Sequence, residues 1–263
     1  MLAEVQLTGK YLPPKALCLT FDDGPGETTG DGPGPKTLRI AEFLYNEGIS
    51  AAFFVIGKIA KDYTHILDQL NQYGHIVGNH SYNHHRLPDF FRDGGDVSEE
   101  LSATNLVISK YIKHNTVFFR APYCDWLPEI STIINSKNTS ELKYSGPYHV
   151  DIDGSDWDYW GKGLSAKECA DNYYHKIVAE DHGIMVMHDS IADDLVMKAN
   201  NLTYETLKIL IPRLKSKGYR FVPLCEIDKL SKSPVRVLNF LLRKAIKRAK
   251  SYYSRHFTWQ QHT

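Results

Sequence analysis

The densest chemistry in this sequence lies in Thr20-Phe21-Asp22-Asp23-Gly24-Pro25, where two adjacent carboxylates end an apolar run and open into a glycine-proline turn. Carboxylates side by side repel unless a cation or a basic partner neutralises them, so one can ligate a metal while its neighbour acts as a base. Taken alone, the segment also fits a solvated Asp-Asp-Gly-Pro turn. Further on, His80-Ser81-Tyr82-Asn83-His84-His85 places two histidines four residues apart. At that spacing both imidazoles reach one ion from a single helical turn or a tight loop. With Asp23, His80 and His84 make a two-histidine, one-carboxylate set that leaves coordination positions for water and substrate. His85 reads as a bystander.

Three later segments add polar groups of the right kinds. Phe119-Arg120-Ala121-Pro122-Tyr123 offers a guanidinium able to hold Asp22 ionised, and a proline-fixed turn whose Tyr123 N–H can face a developing oxyanion. Asp153-Gly154-Ser155-Asp156-Trp157 supplies carboxylates and an indole. Val186-Met187-His188-Asp189 supplies a histidine backed by a carboxylate, the usual arrangement for a proton donor kept charged. Each segment has a bland alternative as surface ion pairing or capping.

Their positions in the chain make them a set. Apolar runs rich in β-branched and aromatic residues predict strands at Ala16-Phe21, Ala51-Ile56, His75-Gly78, Thr116-Arg120, Tyr144-Ile152, Gly183-Met187 and Arg220-Pro223. Helical periodicity falls between them, near 36–47, 58–72, 97–113, 127–136, 165–180 and 201–217. The alternation predicts an α/β fold, a distorted (β/α) barrel of about seven parallel strands in a single domain. Every chemical segment follows a predicted strand, and in such barrels the strand ends share the face where active sites are built.

Length and composition agree with this reading. The 263 residues are 42% hydrophobic and 24% charged, close to soluble globular averages, which excludes disordered, collagenous and disulfide-framework classes. Cys18, Cys124, Cys169 and Cys225 are far apart without a CxxC pair, so they are expected to be reduced and structural. The glycine-rich 24–35 segment has neither a P-loop nor a dinucleotide fingerprint and reads as a substrate-side loop. No run of roughly 18 apolar residues is present, and the first residues lack a secretory pattern. The expected compartment is therefore cytoplasmic, or extracytoplasmic if a leader was removed.

Charge is unevenly spread. Residues 229–263 hold nine basic and no acidic residues, which leaves 22 basic against 31 acidic residues in 1–228, a net −9. Apolar positions Val235, Leu238, Leu241, Leu242, Ala245, Ile246 and Ala249 alternate with basic ones, so residues 234–256 read as a basic amphipathic helix. Such a helix can contact an anionic membrane surface or dock on the acidic body. Nucleic acid is not an expected partner, because the body repels phosphates.

The ordered motifs TFDDGP (20–25), HSYNH (80–84), RAPY (120–123), DGSDW (153–157) and VMHD (186–189) closely resemble those of the polysaccharide deacetylases, the NodB-homology domain of family 4 carbohydrate esterases. The resemblance spans roughly residues 16–225. It implies a catalytic domain over 16–228, flanked by an extension at 1–15 and the basic tail at 229–263. It implies metal-dependent removal of acetyl groups from an acetylated glycan, with Zn2+ by ligand type and Co2+ or Ni2+ able to substitute. Asp22 then corresponds to the catalytic base, and Asp23, His80 and His84 to the metal ligands. Arg120 corresponds to the residue steering the base, Tyr123 to the oxyanion donor through its backbone N–H, and Asp156 to the partner of the acid His188. Trp157 and Val186 correspond to walls of the acetyl pocket.

Two departures from the family pattern stand out. Cys124 replaces the usual glycine after the motif tyrosine, which strains the oxyanion turn if that position needs a positive φ. Residues 26–35 also form a longer link than usual. Trp126, Tyr148, Tyr159 and Trp160 are rim aromatics that either stack on sugars or pack internally. N-deacetylation of amino sugars is the first expectation, O-acetyl ester hydrolysis on xylan or another glycan the second. An inactive glycan-binding module is the third, disfavoured by the complete ligand and acid/base set.

Overall fold

The computed structural model describes residues 1–27, 32–137, 141–192 and 194–231 and, apart from 228 and 231, their side chains. At its centre runs β1 (Ala16–Gly24), buried along its whole length. Strand side chains alternate between faces. Leu17, Leu19 and Phe21 pack outward beneath the helices, while Ala16 and Cys18 join a second cluster inside the barrel. Burying each of the three outward side chains contributes about 2 kcal/mol.

The chain then alternates helices and strands. α1 (Thr37–Asn46) leads to β2 (Ala52–Val55), then α2 (Gly57–Ala60), α3 (Thr64–Gln72) and β3 (Ile76–Asn79). α4 (Leu87–Arg92) and α5 (Val97–Ile108) precede β4 (Thr116–Phe118), α6 (Pro128–Lys137) and β5 (Lys143–Ser145). β6 (Ile152–Asp153), α7 (Asp156–Gly161), α8 (Ala166–Glu180) and β7 (Gly183–His188) follow. The described part closes with α9 (Leu195–Ala199), α10 (Thr203–Ser216), β8 (Arg220–Phe221) and α11 (Cys225–Ser231). Two of the longer helices start on side-chain caps: Asp96 accepts from the Ser98 and Glu99 amides, and Ser165 with Glu168 forms a capping box.

All strand pairs within the sheets are parallel, in the order β3-β2-β1-β7-β6, with β8 joined to the foot of β1. β4 and β5 pair with each other and connect to β3 through a bridge between Asn79 and Phe119. The result is the distorted (β/α) barrel expected, open between β5 and β6 among the described residues. Residues 2–9 run across that opening, where Leu7 bridges Tyr148 and Leu2 is buried.

Three sequence expectations change. The strand expected at Tyr144–Ile152 is two strands, β5 and β6, because Pro147 has no N–H to donate and Gly146 turns the chain at φ 129. The helix expected over 58–72 divides at 61–63 into α2 and α3. Helices α4, α7, α9 and α11 are too short for periodicity to announce. No described helix is long and apolar enough to cross a membrane. Most of the basic tail, residues 232–263, lies outside the described residues, as do 28–31 of the long loop.

Gly146 is a sensitive point of the barrel wall, since a β-carbon there would stand 2.3 Å from the Phe119 carbonyl oxygen. Gly146→Ala is expected to lower the unfolding free energy by about 2–4 kcal/mol. Urea denaturation measures this, and a loss below about 0.5 kcal/mol would contradict the packing.

Candidate metal centre and acid–base cleft

The two aspartates at the end of β1 could not both face the cleft in a regular strand, because neighbours alternate sides. A register shift against β2 between Asp22 and Gly24, with Asp23 at φ 71, swings both toward the barrel mouth. Both carboxylates are nearly inaccessible to solvent.

His80 leaves the end of β3, and its Nδ1 donates to the Arg120 carbonyl at 2.9 Å. That bond commits Nδ1 as donor and frees the Nε2 lone pair, the usual preparation of a metal-ligating imidazole. His84 is brought back by a loop with Ser81 and His84 both at φ 62. Buried Glu100 clamps this loop by accepting from the Tyr82 and Asn83 amides at 3.1 and 2.9 Å and from the Asn83 side chain at 2.6 Å. Asp23 Oδ1 lies 3.5 Å from His80 Nε2 and 3.1 Å from His84 Nε2, and one ligand atom from each residue falls within 4.8 Å of the others. Asp23, His80 and His84 therefore form a buried cluster able to hold a divalent metal, with hard and borderline donors in a suitable mix. Burial alone would raise the Asp23 pKa, but hydrogen bonds from both histidines and the charges of His84 and His188 outweigh it, holding the carboxyl well below the usual range. His85 stands apart, stacked on Phe90 at 4.6 Å.

Asp22 is gripped differently. Arg120, fully buried, donates from Nη1 to Asp22 Oδ1 at 2.8 Å and to Thr20 Oγ1 at 2.7 Å. Its remaining donors meet the Tyr148 and His149 carbonyls at 3.3 and 3.4 Å, and its carbon Cζ lies 4.5 Å from the centre of the Phe54 ring. The free Asp22 oxygen, Oδ2, points toward the cluster, 3.8 Å from His80 Nε2.

On the other side of the mouth, His188 is opposite Asp22 in the β1–β7 register. Its Nδ1 meets Asp156 Oδ1 at 2.7 Å, and its backbone N–H donates to Asp156 Oδ2, also at 2.7 Å. Burial works against the imidazolium, yet the charge and hydrogen bond of Asp156, helped by Asp23 and Asp22, raise the pKa to about 10. Asp189, the carboxylate next to His188 in sequence, is not its partner: it accepts from Thr37 Oγ1 at 2.5 Å, and burial raises its pKa to about 7.

These groups open into a cavity of about 570 Å³ that also includes Tyr123, Cys124, Trp157 and Val186. Tyr123 and Trp157 are half exposed, and the Tyr123 ring lies between His84 at 4.8 Å and the Arg86 guanidinium at 4.5 Å. Tyr123 and Cys124 have φ of 58 and 51, so the cysteine does occupy a left-handed position. Such a conformation costs a residue with a β-carbon about 1–2 kcal/mol. Of the rim aromatics, Tyr148 and Trp160 are fully buried and cannot stack on a sugar, and the Trp126 indole donates to Ala3 O at 3.2 Å. The ten residues given catalytic, metal or acetyl-pocket roles by the family resemblance gather at this mouth or directly beneath it. Glu100, Thr20 and Arg86 were not anticipated, because their signals exist only in three dimensions.

A sequence profile described as polysaccharide deacetylase matches residues 9–141. A chitooligosaccharide deacetylase of Azorhizobium caulinodans is 27% identical over 219 residues, 80% of this chain and 92% of that protein. A peptidoglycan-N-acetylglucosamine deacetylase of Bacillus cereus is 26% identical over 82% of this chain and 69% of its own length. Among solved structures, a family 4 acetyl xylan esterase from Clostridium thermocellum in complex with a cobalt ion superposes with a TM-score of 0.59 at 27% identity, covering 84% of this chain and 93% of that one.

In Asp156→Asn, burial is opposed only by the smaller contributions of Asp23 and Asp22, so the His188 titration midpoint in metal-free protein is expected to fall by more than about two units. NMR of the imidazole reads this directly, and an unchanged midpoint would remove Asp156 as the cause. Because the folded pKa lies above the ordinary 6.5, the pair's stabilisation is complete below 6.5 and is lost as pH rises through about 10.

Proposed function

The chain belongs to the polysaccharide deacetylase family, and from that premise we propose that it is a metal-dependent N-deacetylase that removes acetyl groups from N-acetylated sugars of a poly- or oligosaccharide. The observation that carries the choice of amide over ester is His188, partly buried, paired with the buried Asp156 at 2.7 Å and with its pKa raised to about 10 by that carboxylate. An amine is a poor leaving group until it receives a proton, whereas an alcohol leaves from an ester more readily, so a standing imidazolium suits the amide.

In this reading Asp23, His80 and His84 would hold a divalent cation, which would supply Lewis acidity for hydrolysis of the acetyl group. Zinc fits the ligand types, and the relative bound to cobalt supports a site tolerant of first-row metals. Asp22, oriented by Arg120, accepts the proton of the attacking water through its free oxygen. The Tyr123 backbone N–H donates to the oxyanion, a contribution whose loss costs other hydrolases about 3 kcal/mol. His188 then passes its proton to the departing nitrogen. Trp157 and Val186 enclose the methyl group and exclude water from it.

Acetate release from chitooligosaccharides, suppressed by EDTA and restored by zinc or cobalt, is the expected result. Release from acetylxylan alone would favour the O-acetyl esterase reading, and release from no acetylated glycan would favour a binding module. Asp22→Asn is expected to retain its metal by elemental analysis while kcat falls about 10³-fold. Near-normal turnover removes Asp22 as the base.

For the basic segment 234–256 we propose peripheral contact with an anionic membrane, supported by its charge and apolar spacing. Replacing Lys244, Lys247 and Arg248 by glutamate is expected to abolish sedimentation with anionic liposomes. Equal pelleting of both proteins ends that proposal.

A further inference from the structure

Two consecutive residues with β-carbons in the left-handed region, Tyr123 and Cys124, form a turn that tends to relax unless something outside it resists. Within the turn, the Cys124 N–H donates to Ala121 O at 3.0 Å and the Asp125 N–H to Pro122 O at 3.2 Å. Neither bond ties the turn to the rest of the barrel. A tie does come from the start of the chain, 118 residues away: Gln6 Nε2 donates to the Cys124 carbonyl at 2.8 Å. The Gln6 Oε1 atom is buried without a hydrogen-bond partner among the described residues.

Gln6 is carried on a segment that is itself fixed. The Asn135 side chain bonds both backbone groups of Leu2, at 2.8 and 3.0 Å. Ala3 N–H donates to Gly146 O at 2.9 Å, and Leu7 exchanges bonds with Pro147 O and His149 N–H, both at 2.8 Å. Gly9 N–H donates to Asp151 Oδ2 at 2.7 Å. Residues 2–9 thus form a strap anchored at both ends, with Gln6 in its middle, beside the segment whose carbonyls face Arg120.

We infer that Gln6 is a positioning residue of the active site: by anchoring the Cys124 carbonyl from the strap, it holds the Tyr123–Cys124 turn in its left-handed conformation. What the turn does for catalysis rests on the deacetylase reading above; how it is held does not. A cysteine at this position disfavours the conformation that a glycine would adopt freely, and the strap offsets that difference.

Gln6→Ala, Cys124→Gly and the double variant, made in the full-length chain, test this. Gln6→Ala is expected to lower kcat for acetate release about tenfold, equivalent to about 1.4 kcal/mol, with KM unchanged. In the Cys124→Gly background the same change is expected to cost less than about threefold, because glycine needs no anchor. An equal loss in both backgrounds, or none in either, overturns the inference. Gln6→Met, which keeps the length and loses the donor, replaces Gln6→Ala if the strap loosens. Alkylation of Cys124 by iodoacetamide in metal-free protein, followed peptide by peptide, reads the turn without activity, and Gln6→Ala is expected to speed it at least about fivefold. Should the wild type release no acetate from any glycan, the deacetylase reading falls while the alkylation rate still decides, an unchanged rate overturning the role of Gln6.

Discussion

Arg120 carries its charge beneath the mouth of the barrel, where water does not reach it, and a charge so placed must be met by its neighbours or expelled. It is met by the Asp22 carboxylate, the Thr20 hydroxyl, two backbone carbonyls and the face of Phe54. Every one of these partners belongs to an element the barrel must place first: Thr20 and Asp22 on β1, Phe54 on β2, and the carbonyls on the segment joining β5 to β6. Removing either member of the ion pair strands the other, a loss of about 3–5 kcal/mol in buried pairs. The barrel thus holds the Asp22 carboxyl in one orientation before any ligand arrives.

That commitment separates the two aspartates chemically although they are adjacent in sequence. Asp22 has one oxygen engaged by Arg120, so only its other oxygen faces the cleft. Asp23 faces two imidazoles, and its second oxygen accepts the Ala192 N–H at 3.1 Å. One carboxylate therefore belongs to the cluster able to hold a metal, and the other is held beside it by a guanidinium. His188 completes the opposition: it stands opposite Asp22 on the neighbouring strand, and the Asp156 carboxylate raises its pKa to about 10.

Much of this was legible in the sequence because chemistry in a (β/α) barrel follows strand ends, and strand ends are marked by apolar runs. Asp22, Asp23, His80, Arg120, Asp156 and His188 could be placed on the mouth from those runs alone. Local deviations could not. Nothing in the string Asp22-Asp23-Gly24 announces the bulge that turns both carboxylates the same way. The run Tyr144–Ile152 looked continuous because hydrophobicity does not register the backbone interruption at Gly146-Pro147. Tyr148 and Trp160 looked like rim aromatics because sequence neighbourhood to a motif says nothing about which way a side chain faces; both are core. Residues 1–15 carry no periodicity, so their place across the barrel's opening depends on backbone bonds to partners more than a hundred residues away.

Backbone strain follows the same geography. Ten described residues other than glycine have positive φ, and six of them, Asp23, Ser81, His84, Tyr123, Cys124 and Ser155, sit in the turns that leave strands at the mouth. Each disfavours its own conformation, so none would hold it in an isolated peptide. What holds them differs from turn to turn: Asp23 by the bulge, the 81–84 loop by Glu100 and Asn79, and Ser155 by the Asp153 carboxylate accepting its N–H at 2.6 Å. The functional groups are thus aimed by supports drawn from helices, neighbouring strands and the chain's first residues. A barrel core packed to ordinary density can supply that rigidity because it resists small displacements. The mouth is accordingly the least favourable part of the backbone and the part most dependent on everything beneath it.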